Sequence, residues 1–332
     1  RLFLNLLIVL FFASPAAASK PVTLDTIVRA ETDVAMRDTV KLAGSVGKLF
    51  HLREPTPLVK QTIIRMNRDT LYSAIVVDLS KPVTVILPDA GGRYLSMHVI
   101  NHNHYSYVVT KPGRHRLTQR KVGTRYVSLA FRTFVDANDP EDVKAANAVQ
   151  NRIEITGGNG SLDVPEWDQE QLATMRKAMS MLATMRLDSG RAYGQKGKVD
   201  PIHYLVGAVV GWGGLPKEAA VYVVDQVEKN DGKTPYAVTA KDVPVDAFWS
   251  ITVYNEKGFI ELNDRGVYSF NNVTAKKDGD GAITIHFGGC EDGRANCLPI
   301  KSGWNYAVRM YEPRKELIDG KWKVPEFKQL AK

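Results

Sequence analysis

Two short stretches concentrate the side chains that could do chemistry. The first is Arg65-Met66-Asn67-Arg68-Asp69-Thr70-Leu71-Tyr72-Ser73, where three charges, an amide and several hydroxyls lead into the apolar run Ala74-Ile75-Val76-Val77. Polar groups this dense beside a core strand have to pair with each other, with backbone or with a ligand, because burying them unpaired is costly. Asn67, Arg68 and Tyr72 can orient a substrate by hydrogen bonds, and Asp69 can serve as a general base if it is desolvated. The plainer alternative is an Arg68–Asp69 network that fixes the turn into the strand at Leu71. Adjacent strand residues point to opposite faces, so Arg68 and Asp69 serve one surface only across a bulge or turn. With Asp69 facing a pocket, Asn67 and Arg65 share its face.

The second stretch carries His98, His102 and His104. If residues 93–105 form a strand, all three point to one face, and the Cα atoms of His102 and His104 lie ~6.8 Å apart. Two imidazoles at that spacing can reach one divalent transition metal, with His98, His51 or His115 as a third ligand. Such a metal activates water for hydrolytic or lyase-type chemistry. The alternative is a polar rim, with Asn101-His102-Asn103-His104 as a loop, since Asn is poor in strands.

Other mechanisms find no support. The chain has no G-x-S-x-G elbow, no H-E-x-x-H and no dinucleotide fingerprint. Gly44-Ser45-Val46-Gly47-Lys48 lacks the spacing of a phosphate-binding loop, and Asp278-Gly279-Asp280-Gly281 lacks the further ligands of a calcium loop. Trp249, Tyr254, Trp304, Tyr306 and Tyr311 form an aromatic set that reads as sandwich core or as a sugar-stacking surface. Alternation puts Trp304, Tyr306 and Val308 on one face and Asn305, Ala307 and Arg309 on the other.

The elements that must position these groups are mostly strands. Residues 62–79, 83–87, 93–100, 105–109 and 125–135 are β-rich, with turns at Pro88–Gly92 and Lys111–Gly113. Residues 22–49 are helix-permissive. Asp139-Pro140 and Asp200-Pro201 each read as an N-cap followed by Pro at the first helical position. Residues 165–187 form the clearest helix, with Leu172, Met175, Met179, Leu182 and Met185 as a core-facing stripe. Further strands follow, with residues 219–228 and 234–240 expected as a hairpin across Asn230-Asp231-Gly232.

Residues 2–12 are apolar apart from Asn5 and are followed by Ala16-Ala17-Ala18, which reads as a secretory signal peptide over residues 1–18. Its removal leaves 43 Lys and Arg against 36 Asp and Glu, a net charge of +7. The basic side chains are scattered, which fits a solvated surface, with contact to anionic envelope lipid as an alternative and no nucleic-acid partner. No later run is long enough to span a bilayer. Two cysteines, Cys290 and Cys297, in an oxidising compartment are expected to form a disulfide. The location expected is periplasmic or secreted.

The block Asn67–Ser73 resembles the hallmark of a bacterial exported family, the "domain of unknown function 1254". The blocks Phe248–Tyr254 and Gly303–Tyr306 resemble its usual partner, the "domain of unknown function 1214". The resemblance spans roughly residues 45–328. It implies two jelly-roll-like β-sandwich domains and no settled reaction. The fold class expected is therefore mainly β with helical insertions. Residues 19–160 form the first sandwich, 161–215 a helical connector and 216–332 the second sandwich. The first sandwich would bind a small-molecule or envelope-derived ligand, with metal-dependent or carboxylate-assisted hydrolase or lyase activity as the alternative.

Overall fold

A computed structural model describes residues 19–59, 61 and 64–331. The signal peptide expected over residues 1–18 lies outside the described residues. The chain begins with α1 (Ile27–Ala43), β1 (Phe50–His51), β2 (Thr70–Asp78), β3 (Val83–Leu87), β4 (Leu95–Asn101), β5 (Ser106–Val109) and β6 (Gly113–Leu117). It continues through α2 (Gln119–Val122), β7 (Tyr126–Phe134), α3 (Pro140–Asn151), β8 (Glu154–Thr156), α4 (Gln169–Ala183), α5 (Ser189–Ala192) and α6 (Pro201–Val210). The remainder is β9 (Ala220–Asp225), β10 (Tyr236–Ala240), β11 (Trp249–Tyr254), β12 (Ser269–Asn271), β13 (Ile283–Phe287), β14 (Cys297–Leu298), β15 (Asn305–Tyr311), α7 (Lys315–Ile318) and β16 (Lys328–Gln329). The protein is thus mainly β, and among the described residues none of the four sheets closes into a barrel.

Period-two alternation builds two layers in each half. The sheet β1-β2-β7-β4-β5 packs on β6-β3-β8. Ile75, Val77, Val85, Met97, Leu129 and Phe131 fill the space between them. In the C-terminal half, β12-β11-β15-β9 packs on β14-β13-β10-β16. Ile251, Ile285, Phe287, Trp304, Val308 and Met310 lie in that core. Trp304 and Tyr306 are core residues, as their alternation implied, while Arg309 and Tyr311 point the other way. Cys290 and Cys297 are disulfide-bonded. Among the described residues no helix is long and apolar enough to cross a membrane.

The capped helices form where their signals stand. Asp139 accepts from the backbone N–H of Glu141, and Asp200 from those of Ile202 and His203, each with Pro next in the chain. Three expectations fail. The predicted hairpin is absent, because β9 pairs with β15 while β10 pairs with β13 and β16. The turn at Gly232 (φ +74°) carries the chain from one sheet to the other, and the Asp231 carboxylate accepts from the N–H groups of Lys233 and Thr234 to hold it. The apolar stripe of α4 is core only in part. Leu172 and Met179 are buried, whereas Leu182 and Met185 are 53% and 78% exposed. The helix ends at Ala183, before the stripe is complete.

The third failure concerns the histidines. β4 stops at Asn101, whose Oδ1 accepts from the backbone N–H of Asn103 and Tyr105 and closes a turn. His104 sits within it at φ +62°, the left-handed region. The alternation that would place three imidazoles on one face therefore ends after His98.

Candidate functional site

The Asn67–Asp69 segment lies against the C-terminal half. Tyr254 donates from its hydroxyl to the Met66 carbonyl at 2.8 Å, and the Arg309 guanidinium donates to the Arg65 carbonyl at 2.7 Å. Arg65 donates to the Asn305 side chain. Asn67 Oδ1 accepts from the Asp69 N–H at 2.7 Å, and Asn67 Nδ2 donates to the Tyr311 hydroxyl at 2.7 Å. Arg68 turns the other way, donating to the Thr56 carbonyl with its guanidinium over the Tyr268 ring.

Asp69 is 2% exposed. One carboxylate oxygen accepts from Asn271 Nδ2 at 3.2 Å, and the other has no partner. Burial raises its pKa, outweighing the opposing pull of the nearby Ser250, Arg309, Asn271 and Ser269. The expectation of a pocket-facing Asp69 thus meets a carboxylate enclosed between the two halves.

The three histidines take three separate environments. Arg29 only donates, so His102 Nδ1 accepts from it at 2.9 Å, and His102 Nε2 carries its proton toward Asp33. Asp33 also accepts from Trp167 Nε1 at 2.8 Å. His104 Nε2 accepts from the Gly213 N–H at 2.9 Å, and burial lowers its pKa to about 4. Both ring nitrogens of His98 are buried without a partner. Among the described residues no group of three His, Cys, Asp or Glu side chains has metal-binding geometry. His102 is consumed by α1 and His104 by the chain after α6, which removes both from a shared ion.

A different cluster forms on the face of the first sheet turned away from its core. Tyr72, Arg132 and Ser96 lie side by side on β2, β7 and β4, and the next row is Ala74, Ala130 and His98. At one end α1 covers this face, with Met36 packed on Val76 and Tyr126. At the other end Tyr94 and Phe134 pack against Phe248 and Tyr311 of the C-terminal half. Between them Tyr72, Ala74, Ala130 and Arg132 stay half-buried in the middle of the sheet. Tyr222 is half-buried as well, so a strip of partly exposed side chains, a shallow groove, runs between the two covered ends.

Arg132 dominates the electrostatics of this groove. Its Nη2 donates to the Gly213 carbonyl at 3.1 Å, and its guanidinium lies over the Tyr72 ring, 5.7 Å from the centroid. Its Nη1 is buried with no partner. No carboxylate among the described residues pairs with it. Tyr72, Tyr94, Tyr222 and Tyr311 lie close enough to act on its charge. Burial pushes the Tyr94, Tyr222 and Tyr311 phenols upward, so they remain protonated donors. Burial, with help from the Arg132 charge, holds His98 well below its ordinary value, so its ring is neutral. The Tyr94 hydroxyl and Ser96 Oγ are also buried without partners.

Sequence reasoning found Tyr72 and His98 in this cluster, named Tyr311 only within the aromatic set, and missed Arg132, Ser96, Tyr94 and Tyr222. One signal was available: Arg132 is a lone charge inside the apolar run from Val127 to Val135, where an arginine is rarely buried unless paired.

No curated protein matches the chain. Two solved structures share its fold. The VPA0106 protein from Vibrio parahaemolyticus is 21% identical, with a TM-score of 0.69 over 92% of this chain and 98% of its own. An uncharacterized protein from Burkholderia cenocepacia is 14% identical, with a TM-score of 0.50 over 92% of this chain and 87% of its own. At these identities the likeness is one of fold alone. Residues 46–105 match the family model "Protein of unknown function (DUF1254)", and residues 219–315 match "Protein of unknown function (DUF1214)". From N to C terminus, then, the chain has a segment that matches the DUF1254 model followed by one that matches the DUF1214 model.

Proposed function

We propose that this protein binds a small anionic ligand in the groove above Ala74 and Ala130, with Arg132 as the charge that receives it. One observation carries the reading: an enclosed guanidinium whose Nη1 has no partner and which no carboxylate neutralises. A buried charge left uncompensated is strongly unfavourable, and an incoming anion removes that cost through a charge-assisted hydrogen bond. Tyr72 and Tyr94 supply further donors beside it. Asn67, Arg68 and Asp69 brace the first half against the second, a role their enclosure supports. The Cys290–Cys297 disulfide supports an exported, periplasmic or secreted protein. The two sheets closed over one core in each half support reading both as jelly-roll-like sandwiches.

The test is thermal unfolding of wild type and Arg132→Met with and without small carboxylates. Ligand at a hundredfold excess over Kd stabilises by about 2.7 kcal/mol. Wild type should show that rise and Arg132→Met none. Without ligand the Met variant should be the more stable by roughly 1–4 kcal/mol, since an apolar chain of similar size replaces an uncompensated charge. A destabilised variant, or a ligand response equal to that of wild type, defeats the reading.

A further inference from the structure

We propose that the C-terminal end of α4 and the start of α6 form a docking surface for an anionic lipid bilayer.

The apolar stripe of α4 has a remainder that the core does not use. Leu172 and Met179 are buried, but Met181, Leu182 and Met185 stand exposed, Met181 at 65%. Spacings of three and four residues bring these three to one side of the helical path. A hydrogen bond from the Met185 N–H to the Leu182 carbonyl carries that path past Ala183. The Asp188 N–H then donates to His203 Nδ1 at 3.1 Å, which ties the segment to the first turn of α6, where Ile202 is 73% exposed. Single exposed apolar residues are ordinary, but four large ones gathered at one end mark an interaction surface.

The charges around them set the partner. Lys177 lies one turn before Met181, and Arg186 follows Met185. Lys196 and Lys198 stand in the loop that leads into α6. All four cations are exposed, and among the described residues none pairs with a carboxylate. The acids of the same stretch are engaged: Asp200 pairs with Arg191, and Asp188 accepts from the Gly190 N–H. Apolar side chains beside unpaired cations complement a bilayer with anionic headgroups, since the apolar groups enter the acyl boundary while the cations meet the phosphates. A second copy fits worse, because a two-fold contact would set this basic patch against itself. A folded protein partner fits worse too. Side chains this exposed stand off the surface instead of lining a recess, and a soft interface receives them without a matching shape.

The experiment is vesicle co-sedimentation of the chain from Ser19 onward. That chain holds every element described and omits residues 2–12, which are apolar enough to enter a bilayer themselves. The probes are phosphatidylcholine vesicles with and without phosphatidylglycerol. Wild type should bind the anionic vesicles at least roughly tenfold more tightly than the neutral ones and lose most of that preference at high salt. Each cation near such a surface contributes about fivefold, so Lys177→Gln with Arg186→Gln should weaken binding about twenty-fivefold. Leu182→Ser with Met185→Ser should weaken it by roughly tenfold with the melting curve unchanged, because neither side chain is in the core. Lys276→Gln with Lys277→Gln, exposed positions in the C-terminal half, changes the net charge equally and should leave binding as it was. Equal binding to the two kinds of vesicle overturns the proposal. So does an equal loss from the Lys276 and Lys277 pair, which would make the attraction one of net charge alone. Wild-type binding by Leu182→Ser with Met185→Ser overturns it as well. If sedimentation equilibrium without vesicles shows a dimer that the serine substitutions separate, the patch joins copies of the chain and the bilayer proposal falls.

Discussion

A carboxylate taken out of water without an ion pair holds its proton more tightly, and Asp69 is such a group. Its pKa in the folded chain lies above the ordinary value of ~3.9. Between those two values the folded chain keeps a proton that the unfolded chain releases, so stability declines as the pH rises. The contribution is complete below ~3.9 and is lost as the pH passes upward through the raised value. Asn at this position cannot ionise and still accepts from Asn271. Asp69→Asn should therefore match wild type at pH 4 and unfold at the higher temperature at pH 8. Parallel Tm curves for the two proteins across that range would show that Asp69 is comfortably ionised where it sits. The variant should also bind small carboxylates as wild type does, because Asp69 does not reach the groove.

At the level of elements, the sequence was legible wherever the signal was local. Asp139-Pro140 and Asp200-Pro201 cap helices because cap, proline and first turn all fall within four residues. The alternation of Trp304, Tyr306 and Val308 against Arg309 reads correctly because β15 is regular from end to end. It misled at His98, His102 and His104 because the side chain of Asn101, one residue, ends the strand and bends the chain. It misled at Asn230-Asp231-Gly232 because a tight turn does not say which sheet each arm joins. The disulfide belongs among the local signals, and its contribution is calculable: closing a loop of separation seven constrains the unfolded chain by ~2.5 kcal/mol. Replacing both Cys290 and Cys297 with Ser should lower the unfolding free energy by about that amount, read by denaturant titration. A change near zero would mean that the loop is already ordered in the unfolded chain.

Across the whole molecule the two halves meet through polar groups as well as aromatic packing. Arg309 reaches back to the Arg65 carbonyl, Tyr254 to that of Met66, and Asn67 reaches forward to Tyr311. The groove is assembled only when these halves are together, since Tyr72, Ser96, His98 and Arg132 come from one sheet and Tyr222 and Tyr311 from the other. Its members are separated by up to 239 positions between Tyr72 and Tyr311. No spacing rule joins residues that far apart, which is why the motif-rich stretch at Asn67 drew attention while Arg132 did not.

The two alanines at the centre of the first sheet also give the groove an off switch that leaves every polar atom in place. Ala130 is only half-buried, so a larger apolar side chain there can extend toward the partly exposed face of the sheet. Ala130→Leu should therefore be tolerated by the fold, and the volume it occupies is the volume a bound molecule needs. The leucine variant would be a plugged form of the protein, with Arg132, His98 and Tyr72 unaltered and no response to ligand. Should Ala130→Leu instead retain full binding, the bound molecule must rest elsewhere on this face. In a cell, the plugged form would separate the consequences of losing the ligand from those of losing the protein.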